Sequence, residues 1–400
     1  MHRVAPLVTC RGGSMQEQSR VAILIDTSSG HGRGLLNGMI RFQREIGTWS
    51  VIFRSHKPDQ PAPAWLKKAD IDGVLARVPH RQMADILHKR RLPVIDMPYT
   101  REGFGFPSLF TDNQKIVELA AQHLLDRGIR HFGFCGWPRG LNSRMDERCD
   151  LFVETLAQAG CACSLFPEQN DRRDATHWEN DQQGIADWLL TLPRPAGVMA
   201  CYDDRGQHVL EACQLAGLKV PDEVAVIGSD NDDLICKLSS PPLTSIDAGF
   251  ERIGYEAASL LEQMMKQGEQ PEPVQLFPPA RLVQRQSTNI VAVEDQDLAA
   301  ALRFIRDRAD LRITVEDILK EVPVSRSSLE RRMKKYIGRT PKEEILRVQL
   351  ERVQQLLAET ELSLAEIAFK TGFDHPHYLA ALFKRKFQQT PGSYRRAVRK

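Results

Sequence analysis

The feature that most restricts what this chain can become is a change of period between Ser287 and Asp297. Before it, short β-branched runs alternate with amphipathic stretches. After it, every apolar repeat has the 3.6-residue spacing of a helix. Strands separated by helical stretches close into parallel sheets through βα crossovers, so residues 20–288 read as α/β and residues 289–400 as all-α. Strand candidates begin at Val21 (VAILID), Ser50 (SVIFRS), Gly73 (GVLAR), Pro93 (PVIDM), His131 (HFGFCG), Ala196 (AGVMACY) and Glu223 (EVAVIGSD). Helices are expected over 34–45, 113–127, 144–159, 179–192, 204–216 and 249–266. Six more are expected over 300–308, 315–322, 327–336, 341–358, 364–370 and 376–386. Two of these starts carry capping signals: Pro341 after Thr340, and Ser363 with Glu366 three residues on.

Of the 400 residues, 42% are hydrophobic and 26% charged, which excludes a disordered or collagen-like chain. No run approaches the roughly 18 uncharged apolar residues of a membrane span. Residues 1–19 hold one short apolar piece, Val4 to Val8 broken by Pro6, and read as a loose tail with Met15 as an alternative start. The 8 cysteines are scattered without a CxxC pair, the pattern of reduced, buried thiols in a cytoplasm. Cys161 and Cys163 have no second pair and there is no HExxH, so the expectation is no metal and no cofactor. Residues 290–400 carry 22 Lys and Arg against 16 Asp and Glu, a net +6 that leaves −4 for the rest. A basic segment of that kind seeks an anion, most commonly nucleic acid.

Within the helical part, residues 363–387 have the logic of a helix-turn-helix: Ile367 and Ala368 in the core, Gly372 at the turn, Phe373, Leu379 and Phe383 anchoring the second helix. Residues 314–334 repeat it, with Ile318, Leu319, Val322, Val324, Leu329 and Met333 as core. The stretch GFDHPHYLAALFKRKFQQTPGSYR, residues 372–395, resembles the signature of the AraC/XylS family of transcription regulators. That resemblance implies two recognition helices in successive major grooves of a double-stranded operator. By position, Arg326, Ser327, Glu330 and Arg331 would face bases from the first, with Arg331 a bidentate guanine contact, while Arg332 and Lys334 would meet phosphate or solvent. From the second, Pro376, His377 and Ala380 would face bases weakly, with Lys384 and Arg385 near the backbone. Pro323 stands where a left-handed turn residue is frequent, so the first unit must turn differently.

In the α/β part, GHGRG at Gly30 follows a strand but fails GxGxxG at Leu35, and neither a GxxxxGK[ST] loop nor a GxSxG elbow occurs. The order of elements, with FTDN at Phe110, CYDD at Cys201, VIGSDND at Val226 and PPLTSIDAGF at Pro241, resembles the LacI/GalR sensor domain. The fold this implies is a two-lobed, periplasmic-binding-protein-like α/β domain. One lobe is expected from 20–124 with 249–276 and the other from 125–248 with 277–288. The family's ligand positions fall on Asp112, Arg148, Trp178, Asp203, Asp230 and Phe250. Planar polar groups there would grip hydroxyls and rings would cover a sugar's C–H face.

Joining a LacI/GalR-like sensor to an AraC-type module resembles pentose-operon regulators of enteric bacteria, and HW with ADWL near Trp178 and SRSSLE at Ser325 agree. The implied function is a cytoplasmic, non-enzymatic, dimeric activator that binds D-xylose, engages an operator and contacts RNA polymerase. The alternatives are a sugar-binding receptor with no role in transcription, or a sugar-modifying enzyme.

Overall fold

The computed structural model describes residues 18–46, 49–98, 103–167, 182–268, 271–290 and 295–398. They fall into two compact units that divide between Asn289 and Ile290.

The first unit starts β1 (Ser19–Leu24), α1 (Gly30–Ile46), β2 (Trp49–Arg54), β3 (Gly73–Ala76), α2 (Arg81–Arg90), β4 (Val94–Asp96) and β5 (Ser108–Thr111). It continues α3 (Asn113–Leu125), β6 (His131–Cys135), α4 (Ser143–Gln158), β7 (Cys163–Leu165), α5 (Gln182–Thr191), β8 (Ala196–Ala200), α6 (Asp203–Leu215), β9 (Val224–Ser229), α7 (Asp233–Leu238) and β10 (Thr244–Asp247). It closes with α8 (Phe250–Gln267), β11 (Val274–Phe277) and β12 (Arg281–Val283). Two six-stranded sheets result, ordered β11-β5-β4-β3-β1-β2 and β12-β10-β9-β8-β6-β7. All pairings are parallel except β10 with β12. The chain therefore passes between sheets three times, after β5, after β10 and after β11.

Each sheet has its own core. Leu24, Val74, Ala76, Met83, Leu87 and Val94 fill the first, and Ile185, Trp188, Val198, Val209, Val224 and Val226 the second. Helix α8 returns to the first lobe and packs on α1 so closely that a Cβ on Gly254 would lie 2.0 Å from the Leu35 carbonyl oxygen. Helix α3 differs from expectation. It packs against α4 and covers the second sheet, where Leu124 meets the backbone of Gly197, so the crossover falls at Asp112 and not after residue 124. The strands the pattern passed over, β5, β7, β10, β11 and β12, are three or four residues long, too short to show a period.

The second unit holds α9 (Gln296–Arg308), α10 (Val315–Glu321), α11 (Arg326–Ile337), α12 (Pro341–Glu359), α13 (Leu364–Lys370), α14 (Pro376–Phe387) and α15 (Pro391–Val398). Two small cores form. Leu298, Ile305, Ile318, Leu329 and Met333 make one, and Val353, Leu357, Ile367, Leu379 and Phe383 the other, with α12 shared through Ile345 and Leu350. Capping boxes open α12 at Thr340 and α13 at Ser363, and a third opens α10 at Thr314. Both turns follow from residue chemistry. Gly372 takes φ +78° with the Ala309 carbonyl oxygen 2.7 Å from where a Cβ would stand, while the first unit turns through extended Val322 at φ −121° before Pro323. Among the described residues no helix is long and apolar enough to cross a membrane.

Candidate functional site

In both lobes, polar side chains gather at the carboxyl ends of parallel strands and the first turns that follow, where an open sheet leaves a crevice. Arg148 is the centre. It is 2% exposed, its Nε donates to Asn113 Oδ1 at 3.0 Å, and its Nη1 donates to the Cys201 carbonyl oxygen. Asn113 is oriented by its own amide, which donates to the Arg144 carbonyl at 2.9 Å and to Glu147 Oε2 at 2.8 Å, so its oxygen is left for the guanidinium. Both of these Arg148 acceptors are neutral, and a buried cation seeks negative charge. Asp230 supplies it. Burial raises its carboxyl to about 6 against the opposing pull of Arg148.

Asp230 stands at φ 104° and Asn231 at φ 54°, two successive non-glycine residues in the left-handed half of backbone space. Such strain persists only where the surroundings over-determine it. Here the Asp230 N–H donates to the Ile246 carbonyl at 2.9 Å and the Asn231 N–H to Ser245 Oγ at 3.0 Å. Asp112 sits at the crossover, accepting from the Lys115 N–H at 3.1 Å and capping α3.

Two expected ligand positions are packed against other parts of the protein, and a third lies outside the described residues. Asp203 is 1% exposed; its Oδ2 accepts from the Asp232 N–H at 2.7 Å and its Oδ1 from Ser245 Oγ at 2.5 Å. Burial holds that carboxyl well above the usual range. It shapes the 230–232 loop from beneath, with both oxygens engaged within the protein. Phe250 is 7% exposed and lies stacked on His31, ring centroids 3.9 Å apart at 12°. The half-buried ring in that stack is therefore His31, whose titration is pushed well down by burial and by Arg77 and Arg148. Trp178 falls in 168–181, outside the described residues.

The structure adds residues that the motif comparison passed over. Arg77 follows β3 directly, is 6% exposed and donates from Nε to the Met97 carbonyl at 3.0 Å. Asp96, fully buried, closes β4. Arg33 on α1 reaches across to Asp232 at the start of α7, Nη2 to Oδ2 2.7 Å, an ion pair between lobes. A charge at the last position of an apolar strand was the available signal for Arg77 and Asp96. Arg33 and Asp232 are 199 residues apart and carried none. Among the described residues no three His, Cys, Asp or Glu side chains are grouped for a metal.

In the helical unit, Ser325 caps α11 and places Arg326, Ser327, Glu330 and Arg331 on an exposed face. Arg331 has no ion-pair partner among the described residues. Arg326 pairs with Glu316 at 2.7 Å and Glu330 at 3.2 Å, both exposed and easily exchanged. Arg332, expected at phosphate or solvent, instead binds Asp295 at 2.9 Å and Asp297 at 3.1 Å, tying α11 to the start of α9. On α14, Pro376 occupies the first turn, His377 and Lys384 are exposed on the face that includes half-buried Ala380, and Arg385 is exposed beside it.

Residues 121–288 match the family model of the periplasmic binding protein-like domain, and residues 318–397 that of a helix-turn-helix domain. The chain is 30% identical over 389 residues to the xylose operon regulatory protein of Escherichia coli K12, covering 95% of this chain and 97% of that one. It is 29% identical to the protein of the same name from Haemophilus influenzae, covering 95% and 99%. A solved structure of a xylose-binding transcription activator superposes with TM-score 0.74 at 28% identity over 96% of this chain and 99% of that one. A LacI family regulator from Enterococcus faecium with bound ribose shares the sensor fold, TM-score 0.57 at 20% identity, over 69% of this chain and all of that one.

Proposed function

The chain belongs to the family of the xylose operon regulatory proteins, and we propose that its cleft takes D-xylose and that the pentose controls how its two helix-turn-helix units engage a double-stranded operator. It is a sugar-responsive DNA-binding transcription regulator. The observation that carries the ligand reading is the Arg148–Asn113–Asp230 arrangement of the second lobe, a forked donor on α4 oriented by the first residue of α3, with a strained carboxylate directly after β9, suited to neighbouring hydroxyls. In this reading residues 20–288 are the sensor and 289–400 the DNA-binding module. Asp112, Arg148 and Asp230 grip the sugar, joined by Trp178. Ser327, Arg331 and His377 face bases, with Lys384 and Arg385 at phosphates. The regulator works in the cytoplasm as a dimer, activates transcription by contacting RNA polymerase, and turns over no substrate.

Calorimetry with D-xylose and D-glucose tests the ligand. Glucose adds one CH2OH, whose clash and unpaired hydroxyl each cost about 1 to 3 kcal/mol in a site shaped for a pentose. The expectation is at least tenfold tighter xylose binding, a factor worth about 1.4 kcal/mol, abolished by Arg148→Ala. Equal affinities would remove the pentose assignment.

A further inference from the structure

Residues 285–289 close the first unit, and the helical unit begins at the next residue, Ile290. They are not a loose connection, since Ser287 and Thr288 are fully buried. The Ser287 hydroxyl donates to the Val226 carbonyl at 2.6 Å and accepts from the Thr244 N–H at 2.8 Å. The Thr244 hydroxyl donates to the Arg285 carbonyl at 3.1 Å and accepts from the Arg285 N–H at 2.8 Å. A hydroxyl has a single proton to donate, so the 2.9 Å bond between Thr288 and Thr244 is donated by Thr288. His123 Nε2, 2.7 Å from that same Thr288 Oγ1, is then the donor. Burial, together with Arg127, pushes the imidazole down to about 3, so it holds the segment as a neutral ring.

Two routes lead from the Arg148 cluster to this segment. The first is the loop after β9. Asp230 and Asn231 stand there at φ 104° and 54°, and Asn231 Oδ1 accepts from Arg285 Nη2 at 2.9 Å. The same guanidinium donates from Nη1 to the Leu243 carbonyl at 2.9 Å and faces Asp233 Oδ1 at 3.6 Å, with its side chain only 10% exposed. The second route is α3. Its first residue, Asn113, accepts from Arg148, and its last turn supplies His123 to Thr288. Arg127, just past the helix end, donates from Nε to the Thr288 carbonyl at 2.7 Å. Asn113 and His123 are separated by roughly 15 Å along the axis, given the rise of an α-helix.

Successive non-glycine residues at positive φ are held there by their surroundings, and such pairs cluster at switch regions. A hydroxyl brought to Asp230 bears on the dihedrals of the next residue, and Asn231 Oδ1 moves with them. We propose that Arg285 is a positioning residue that passes this movement to the segment before the helical unit, so that sugar held at Asp230 resets residues 285–289. Helix α3 gives the segment a second hold at Thr288, tied to the same cluster through Asn113. Arg285 makes no contact with the sugar. The proposal rests on the reading of the chain as a sugar-controlled regulator, and names residues that carry the control.

Linkage separates this role from a packing role. If sugar changes operator affinity by some factor, the operator changes sugar affinity by the same factor, and both report one coupling free energy. A residue that only packs the fold lowers stability or sugar binding when it is replaced. A residue that carries the coupling lowers that factor and leaves the sugar affinity of the DNA-free chain in place. Asn231→Gly is the mild probe, because glycine takes positive φ without strain and keeps the N–H that donates to Ser245 Oγ at 3.0 Å. It removes only the acceptor that Arg285 uses. Asn231→Asp keeps an oxygen at that place.

The test uses the full chain, with calorimetry for D-xylose, fluorescence anisotropy on the DNA upstream of its own operon with and without saturating D-xylose, and thermal unfolding without ligand. For Asn231→Gly and Arg285→Gln, D-xylose affinity is expected to stay within about threefold of the wild type. The sugar-induced change in operator affinity is expected to fall below about twofold, against the roughly five- to 150-fold typical of coupled sites. Asn231→Asp should keep most of the wild-type change. If Arg285→Gln does not fold, the two Asn231 variants decide. Folded variants that bind the sugar and respond on the operator as the wild type does overturn the proposal and leave the regulator reading standing. Variants that lose the response only because they no longer bind the sugar also overturn it, since Asn231 and Arg285 would then belong to the grip on the ligand. A wild type whose operator affinity is indifferent to D-xylose, L-arabinose, D-ribose and D-glucose alike overturns the regulator reading and the proposal with it.

Discussion

At the level of single residues, the structure separates side chains that face outward to a partner from those that hold the partner's neighbours in place. Asp203 and Asp230 both stand at strand ends of the second lobe, yet Asp203 has both oxygens engaged by Asp232 and Ser245 while Asp230 is held in a strained backbone where the charge of Arg148 opposes the effect of burial on its carboxyl. A sequence shows two aspartates after two apolar runs and cannot tell them apart, since the difference lies in Ser245, contributed by another strand. Phe250 is a similar case. A ring at a helix start is visible in the sequence, but that His31 covers it depends on α1 and α8 packing together. On α11 the same distinction yields a prediction. Arg332 is bound to Asp295 and Asp297, whereas Arg331, one residue earlier, is exposed without an ion pair. Arg331→Ala is expected to cost roughly 1 to 3 kcal/mol of operator binding and to relax preference at one base pair. Fluorescence anisotropy on the operator and on random duplex reads both. Equal loss on the two would make Arg331 a phosphate contact.

At the level of elements, the long, capped, periodic helices were legible: α12 begins at Pro341 after its Thr340 box and α13 at Leu364 after Ser363. What was hidden is the side of the crossover to which α3 belongs, because its apolar stripe of Ile116, Val117, Ala120 and Leu124 would suit either sheet. The ion pair of Arg33 and Asp232 was equally hidden, since nothing local in either loop requires the other. It joins the lobes outside the Arg148 cluster, and Asp232 also caps α7 by accepting from the Leu234 N–H at 3.2 Å. Closing the lobes in advance reduces the rearrangement a ligand must drive. Arg33→Gln shortens the side chain, removes the charge and its bonds to the Thr27 and Ser28 carbonyls, and leaves the Asp232 cap untouched. The expected result is a sugar affinity lower by about three- to thirtyfold, equivalent to roughly 0.7 to 2 kcal/mol for a pair of a partly exposed arginine and a buried aspartate, with a larger radius of gyration before sugar is added. Unchanged affinity and unchanged X-ray scattering would mean that closure is set elsewhere.

At the level of the whole molecule, the change of period near residue 290 corresponds to the division of the described residues into two compact units, one of two sheets and one of seven helices. The charge asymmetry follows it, so the basic unit is expected to carry the affinity for DNA by itself, with binding that falls steeply as salt rises. Residues 290–400 expressed by themselves should accordingly bind the operator with no response to sugar. The full chain should respond. The most direct measurement is therefore a titration of the full chain and of the 290–400 fragment onto the DNA upstream of its own operon, at fixed salt, with D-xylose absent or in hundredfold excess over its dissociation constant. The expected result is an operator affinity or occupied-site pattern that changes with xylose for the full chain, does not change for the fragment, and does not change for full-length Arg148→Ala. A full chain that binds the sugar and yet holds the operator identically with and without it would contradict the reading of this protein as a sugar-controlled regulator.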